Sequence, residues 1–460
     1  MLVLDLAYLL ALLILSPWLL WRALATGRYR TNLAAKLLGR VSVPNPGRKP
    51  VAWFHAVSVG EVNMLGALVP AFRDRHPDWL VVVSSTTDTG LADARKRFAD
   101  LSVIAWPFDF SWAVGNALDA VKPALVVLAE SELWPNFLRA AARRHVPVAV
   151  VNARMSPRSF ARLRRLAGPA RRLLFRPVAA FAVQSQDYAD RLRALGVAAD
   201  RLAVTGSIKY DGALKDRDTP QTRALARLLA SGGREPPELA SGGSGASALP
   251  RGADAPRPPA PLVWLAGSTH APEESAVLSV FARLRERFGH LRLILVPRHP
   301  DRFEEVARLV ERSGLPFARR SRIPGPLPEM PAVVLLDTVG ELGAAWGLAD
   351  VGFTGGSLDG RRGGQSMIEP AGYGVPCVFG PHVWNFRDAA KRLVEVGEAV
   401  MVADVAELER ELSRLLADAG LRERMGAAAR ELVRRQQGAT ARTLAVLDRA
   451  AGLEATRGAA

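Results

Sequence analysis

After an opening apolar stretch, short apolar runs alternate along the chain with longer amphipathic stretches rich in Ala, Leu and Arg. The runs predict strands at 51–57, 80–84, 103–106, 124–129, 146–151, 179–183 and 202–205, with helices between most of them. That alternation indicates a parallel sheet with crossover helices. From 231 to 261 the pattern lapses into "SGGREPPELASGGSGASALPRGADAPRPPAP", which has no aromatic residue. Such a segment cannot bury enough apolar surface to order itself and predicts a flexible insertion at or beside a domain boundary. A second series follows, with strands predicted at 262–266, 291–296, 333–336, 351–353, 375–379 and 400–402. Two α/β halves predict two Rossmann-like domains facing a cleft. The expected division is 1–30 anchor and basic flank, 31–230 first domain, 231–261 insertion, 262–445 second domain and 446–460 tail.

The opening stretch reads "MLVLDLAYLLALLILSPWLLWRALA", and Leu6 to Trp21 carries no charge. As a helix, at roughly 1.5 Å per residue, it is long enough to cover a hydrocarbon core. Asp5 falls near one end, where a charge is cheapest, and Trp18 and Trp21 suit an interface. No basic residue precedes the run, whereas Arg22, Arg28, Arg30 and Lys36 follow it. The positive-inside rule then predicts an uncleaved anchor, spanning or deeply embedded, with the bulk of the chain in the cytoplasm. A buried core helix is the plainer alternative.

Composition adds two constraints to this picture. One cysteine, Cys377, excludes an intrachain disulfide. The formal charge of +16 is uneven: residues 154–176 hold eight arginines and no acid. Such a block attracts anions, whether nucleic acid, an anionic membrane or a phosphorylated substrate; a solvated helix face is the competing reading.

Ligands in open parallel sheets sit at the carboxyl ends of strands, so the residues placed there carry the chemistry. In the first half the ends lead to Glu61, to Glu130 and Glu132, to Asn152 and Arg154, and to Lys209. Each alone reads as a cap or surface ion pair; four charged turns on one edge describe a polar site with a base and cations. In the second half the ends read "GSTHAPEE", "VPRHPDRF", "DTVGELG", "TGGSLDGRRGGQSMIEPAGYG" and "GPHVWNF". The glycine pairs let backbone approach a ligand, and a helix opening at Ser366 is predicted to hold a phosphate. Glu369, in its first turn, is placed to accept both ribose hydroxyls of a nucleotide.

These strings resemble the Kdo transferases of lipopolysaccharide assembly, which move 3-deoxy-D-manno-octulosonic acid (Kdo) from CMP-Kdo to a lipid A precursor. The similarity is carried by "HAVSVGE", "AESELWPN", "NARMSPRS", "TGSIKYD", "GSTH-x-x-EE", "LVPRHP-x-RF", "DTVGELG" and "FGPHVWNF", in that order. It implies an inverting, metal-independent glycosyltransferase of the GT-B type with no cofactor, whose partners are CMP-Kdo, a phosphorylated lipid A precursor and the cytoplasmic leaflet rather than nucleic acid. It puts the proton acceptor on Glu61 and the charged transition-state groups on Glu130 and Lys209. The CMP contacts fall on Pro297 and Arg298, on Val339, Gly340 and Glu341, and on Ser366, Met367, Ile368 and Glu369. The chain departs from the family at Gln365-Ser366, where His-Asn is usual.

A carboxylate within reach of the acceptor hydroxyl can take its proton as the oxygen attacks the anomeric carbon. The helix-mouth position predicts a lowered pKa for Glu61, with burial by substrate opposing it. Arg298 and the helix N-terminus at Ser366 are expected to absorb the charge on departing CMP, and Lys209 to pair with the Kdo carboxylate or the phosphate. The acidic triplet Asp216 to Asp218 reads as a solvated cluster rather than a metal site, and the histidines show no ligand spacing. A sugar-nucleotide epimerase on two Rossmann halves gives no reason for an anchor. A tethered nucleic-acid binder leaves Glu61, Glu130 and Lys209 unexplained.

Overall fold

The computed structural model describes residues 2–26, 31–229 and 261–453. The chain divides into two compact units, Met1–Asp211 with Gln436–Ala460, and Gly212–Arg435. Each is a parallel α/β domain, as the alternation predicts. The first sheet comprises β1 (Val51–Ala56), β2 (Leu80–Ser85), β3 (Ser102–Ala105), β4 (Leu125–Ala129), β5 (Val148–Ala153), β6 (Ala180–Val183) and β7 (Leu202–Val204). Their spatial order is β3-β2-β1-β4-β5-β6-β7. The second comprises β8 (Leu262–Thr269), β9 (Leu291–Pro297), β10 (Phe317–Arg319), β11 (Val333–Leu335), β12 (Val351–Thr354), β13 (Cys377–Phe379) and β14 (Ala399–Met401), in the order β10-β11-β9-β8-β12-β13-β14. The short strand β10 has no counterpart in the apolar pattern. Its three residues, Phe-Ala-Arg, hold too little apolar sequence to stand out.

Every residue of β1 is buried, because helices cover both faces of its sheet. Val51 and Trp53 pack with Phe137 and Trp106 on one face; Ala52, Phe54 and Ala56 pack with Leu65 and Phe72 on the other. Strand order reverses between β1 and β4 in the first sheet and between β8 and β12 in the second. Those switch points open crevices at the carboxyl edge. Two register shifts fall near that edge, between β5 and β6 and between β8 and β9. There Asn152 and Ser268 adopt left-handed backbone, with φ of 53° and 55°. Bulges of this kind re-aim side chains beside active sites.

Three expectations change. The boundary lies at Asp211/Gly212, ahead of the 231–261 insertion, whose residues up to 260 lie outside the described residues. The chain also returns: the helix Ala439–Ala450 belongs to the first unit, so neither a domain ending at 445 nor a free tail from 446 holds. Its Leu444, Val446 and Leu447 join the core that contains Phe54 and Phe72, and its Asp448 pairs with Arg75 (Nε to Oδ2, 2.8 Å) and His76. The apolar stripe needs a partner face, and the first sheet supplies it.

The third change concerns the anchor. Leu2–Thr26 is a helix, but among the described residues no helix is long and apolar enough to cross a membrane, so a spanning anchor is not supported. Asp5 does not sit in a lipid interface; it is 4% exposed and held by protein donors. Ser111 donates from its N–H (2.9 Å) and hydroxyl (2.6 Å), and Asn136 from Nδ2 (3.0 Å). Tyr8 donates to Asp109 at 3.1 Å. This end of the helix is therefore docked on the turns that follow β3 and β4. Beyond it Leu6, Leu10, Leu13, Ile14 and Trp21 are exposed.

Candidate active site

In the first unit β1 hands over to the helix Val59–Arg75, with Ser58 as N-cap and Glu61 three residues on. The spacing is that of a capping box, but the bonds differ. The Ser58 hydroxyl donates to Glu61 Oε1 (3.1 Å) instead of capping the helix, and Glu61 Oε2 accepts the N–H of Val57 (2.7 Å). Glu61 thus secures the strand–helix turn and keeps a half-buried carboxylate at the switch point.

Across that crevice stands Glu130, 6% exposed, at the end of β4 with φ 57°. A non-glycine residue held in this region carries strain of the kind found at functional sites. Its carboxylate is clamped by two cations: Lys209 Nζ lies 3.1 Å from Oε1 and Arg154 Nη2 2.8 Å from Oε2. Asn152 braces the turn that carries Lys209, its Oδ1 accepting the N–H of Ile208 at 3.2 Å. Burial raises Glu61 from 4.5 to about 7, with the Glu130 and Glu132 charges adding and the Val57 N–H opposing. The expectation of a lowered value is thereby reversed: loss of solvent outweighs the bonds at the helix mouth. Glu132 is raised as well, by burial and then by Glu130.

In the second unit β8 leads directly into His270, which is buried. Desolvation lowers its pKa to about 4, aided by His299 and by Arg362, Arg302 and Arg298, so it is neutral near pH 7. Gln365 Nε2 lies 3.4 Å from His270 Nε2, which gives the departure from the family's His-Asn a local partner. The glycine-rich loop after β12 is pinned by Glu273. Its Oε2 accepts the N–H groups of His270 (3.1 Å) and Gly356 (2.6 Å), and its Oε1 those of Ser357 (2.9 Å) and Leu358 (3.1 Å). Gly363 is required by its φ of +84° and because a Cβ would fall 2.3 Å from Trp384 Nε1.

Arg298 follows Pro297 at the end of β9 and lies close enough to Glu369 for its charge to act on that carboxyl. Glu369 is exposed but crowded by protein; the crowding raises its pKa while Arg298 and Trp346 oppose. The helix expected to open at Ser366 begins at Ile368 with Met367 as N-cap and ends at Gly372. So short a helix lends little dipole to Ser366. Val339, Gly340 and Glu341 stand on a separate turn: Val339 is 75% exposed, and Glu341 accepts from Arg320 (2.9 Å) and the Thr338 hydroxyl. Asp218 pairs with Arg223 at 2.8 Å, and Arg217 is bound to the carbonyls of Tyr373 and Gly374.

Sequence pattern places Arg154 at a charged strand end and His270 and Glu273 within one string, but not the clamp of Arg154 on Glu130, the hold of Glu273 on the glycine-rich loop or the burial of His270 beside Gln365. A charged residue just past a strand end was the available signal; which partner it meets was not.

Among solved structures the fold matches MurG of Acinetobacter baumannii (TM-score 0.51, 15% identity, 87% of this chain and 99% of that one). It also matches the UDP-GlcNAc 2-epimerase of Neisseria meningitidis (TM-score 0.51, 11% identity, 84% and 99%). At such identities these likenesses show the two-domain fold alone. The sequence relatives discriminate further. The family profile of 3-deoxy-D-manno-octulosonic-acid transferase (kdotransferase) matches residues 32–212. That span holds Glu61, Glu130, Arg154 and Lys209. The 3-deoxy-D-manno-octulosonic acid transferase of Bordetella pertussis is 33% identical over 457 residues, 96% of this chain and 98% of the relative. That of Haemophilus influenzae is 32% identical over 426 residues, 91% of each. A similarity running through both units, at this identity and with the acid–cation cluster inside the matched span, makes the chain a member of the 3-deoxy-D-manno-octulosonic acid transferase family, a family of glycosyltransferases.

Proposed function

We propose that the chain is a membrane-associated inverting transferase that moves Kdo from CMP-Kdo to a tetraacylated lipid A precursor (lipid IVA), with Glu61 as general base. The observation that carries the reading is a half-buried carboxylate with its pKa near 7, set beside Glu130 in its clamp of Arg154 and Lys209. A base is most effective when its pKa lies near the working pH. In the reaction Glu61 takes the acceptor hydroxyl's proton, the oxygen's electron pair forms the bond to the anomeric carbon, and CMP leaves with the electrons of the broken bond. Lys209 and Arg154 offset negative charge from the Kdo carboxylate or the acceptor phosphate.

CMP is held on the second unit in this reading, its phosphate by Arg298 and the glycine-rich loop and its ribose by Glu369. Its phosphate charge is met by arginine and backbone N–H, so transfer proceeds without a divalent ion. The lipid surface of the inner membrane's cytoplasmic face meets the exposed apolar side chains between Leu6 and Trp21. Their docked end at Ser111 and Asn136 is on the same sheet edge as Glu61, which supports delivery of a lipid acceptor to that edge. The arginines of the helix Pro157–Arg164, which follows β5 on that edge, suit the acceptor's phosphates.

The test is transfer of Kdo from CMP-Kdo to the precursor by the purified full chain, with and without a chelator. Product in both is expected; a strict divalent-ion requirement overturns the metal-free step. Calorimetry with CMP tests the donor site. Arg298→Ala is expected to weaken binding, and Glu369→Ala to weaken ribonucleotides more than 2′-deoxy analogues. Unchanged affinity in both overturns the assignment.

A further inference from the structure

The arginine-rich block does not form one surface. Arg154 reaches Glu130 at the carboxyl edge, and the helix Pro157–Arg164 starts from that edge. The chain then crosses the sheet, so Arg171, Arg172 and Arg176 stand just ahead of β6, at the amino edge. Arg201, just ahead of β7, joins them. Together they line a cavity of about 520 Å³ with a floor that includes Phe175 and Val197.

Five features mark it as built. No acid lines it. Arg171, Arg172 and Arg176 form no ion pair among the described residues, so their mutual repulsion is uncompensated. Arg201 is oriented, its Nη1 donating to the carbonyls of Arg176 (2.8 Å) and Val178 (3.2 Å). Arg171–Phe175 is a π-helical turn, closed by Arg176 N–H to the Arg171 carbonyl at 2.8 Å. Such turns are rare and recur at functional sites. Gly196, at φ +89°, faces the cavity, and a Cβ there would meet Arg171 Cδ at 2.7 Å. Glycine at that place keeps the arginine over the cavity.

We propose that this cavity is a second anion site, distinct from the transfer site, which takes the phosphoryl group of a soluble phosphorylated ligand. Guanidinium groups are weakly hydrated planar forks that match phosphate oxygens two at a time. The floor leaves room for a small organic moiety. The amino edge is opposite the edge on which the apolar N-terminal helix docks, which argues for a ligand from solution rather than a lipid headgroup.

The test uses detergent-solubilised full chain and calorimetry with inorganic pyrophosphate, in the presence of saturating CMP so that the donor site is filled. The parent is expected to bind. Arg171→Ala/Arg172→Ala/Arg176→Ala is expected to weaken binding at least about tenfold, since each lost charged hydrogen bond is worth that much. These side chains are exposed and unpaired, so the triple variant is expected to keep the parental melting temperature. A control, Arg308→Ala/Arg312→Ala/Arg424→Ala, removes the same charge from exposed positions outside both sites and is expected to bind like the parent. Sedimentation with phosphatidylcholine–phosphatidylglycerol vesicles is expected to be equal for parent and cavity variant. No pyrophosphate binding by the parent, equal weakening in both triple variants, or a cavity variant that loses vesicle binding instead would each overturn the proposal.

Discussion

Glu61→Gln separates two roles that the structure joins in one side chain. Glutamine can still accept the Val57 N–H through its oxygen, so the strand–helix turn stays closed. It cannot take a proton at neutral pH. General-base catalysis commonly contributes about a hundredfold to ten-thousandfold, or about 3–5 kcal/mol of barrier, and a fall in kcat of that size is expected. Stability moves the other way. The carboxyl is raised from 4.5 unfolded to about 7 folded, so between those values the native state holds more protons than the unfolded one. Parental stability therefore falls as pH rises from 4.5 through 7, and the full cost is present above 7. That cost is at most about 3.5 kcal/mol, and less because the group is only half-buried. Glu61→Gln removes it, so at pH 8 the variant is expected to melt no lower than the parent and to transfer almost no Kdo. The parental rate is expected to rise with pH through about 7 as Glu61 ionises, and the variant's residual rate to lack that limb. Melting curves at pH 5 and 8 with a Kdo-transfer pH profile decide it. Transfer within a few-fold of the parent would refute the base and leave Glu61 as the clasp of Val57. Glu132, also raised by burial, would be the next carboxylate to examine.

Two further substitutions probe the supports. Arg154→Ala leaves Glu130 with Lys209 alone and increases the negative field on Glu61; the acid limb of the pH–rate profile is expected to move upward and the rate at pH 7 to fall about threefold to tenfold. An unmoved limb would show that Arg154 does not tune the base. Glu273→Gln sets an NH2 group against two of four backbone donors, with an expected loss of about 2–5 kcal/mol in denaturant unfolding and weaker CMP binding. A parental unfolding midpoint would mean that the loop does not depend on this carboxylate.

What the sequence determined is local. The run 51–57 announced β1 because residues buried on both sheet faces must be apolar, and the same logic located every strand except β10. Charged residues one turn past those runs announced the site, since the carboxyl edge follows from strand direction alone. The resemblance then singled out Glu61, Glu130 and Lys209. What only the tertiary structure decided depends on neighbours far away in sequence. The pKa of Glu61 rises because chain segments beyond its own turn exclude water from it and bring Glu130 near, against a helix mouth that would lower it. Glu130 meets Arg154 and Lys209 because β4, β5 and β7 carry them to one edge. Asp5 is a docking residue rather than a membrane-end charge because Ser111 and Asn136 come to it from two later turns. The helix Ala439–Ala450 has an apolar stripe that any partner face would satisfy, and the fold, not the stripe, assigns it to the first sheet. The arginine block reads as one patch in sequence, and the crossover between β5 and β6 divides it between opposite edges. Apolar periodicity records which residues must leave water, whereas desolvation and ion pairing depend on which other residues arrive beside them.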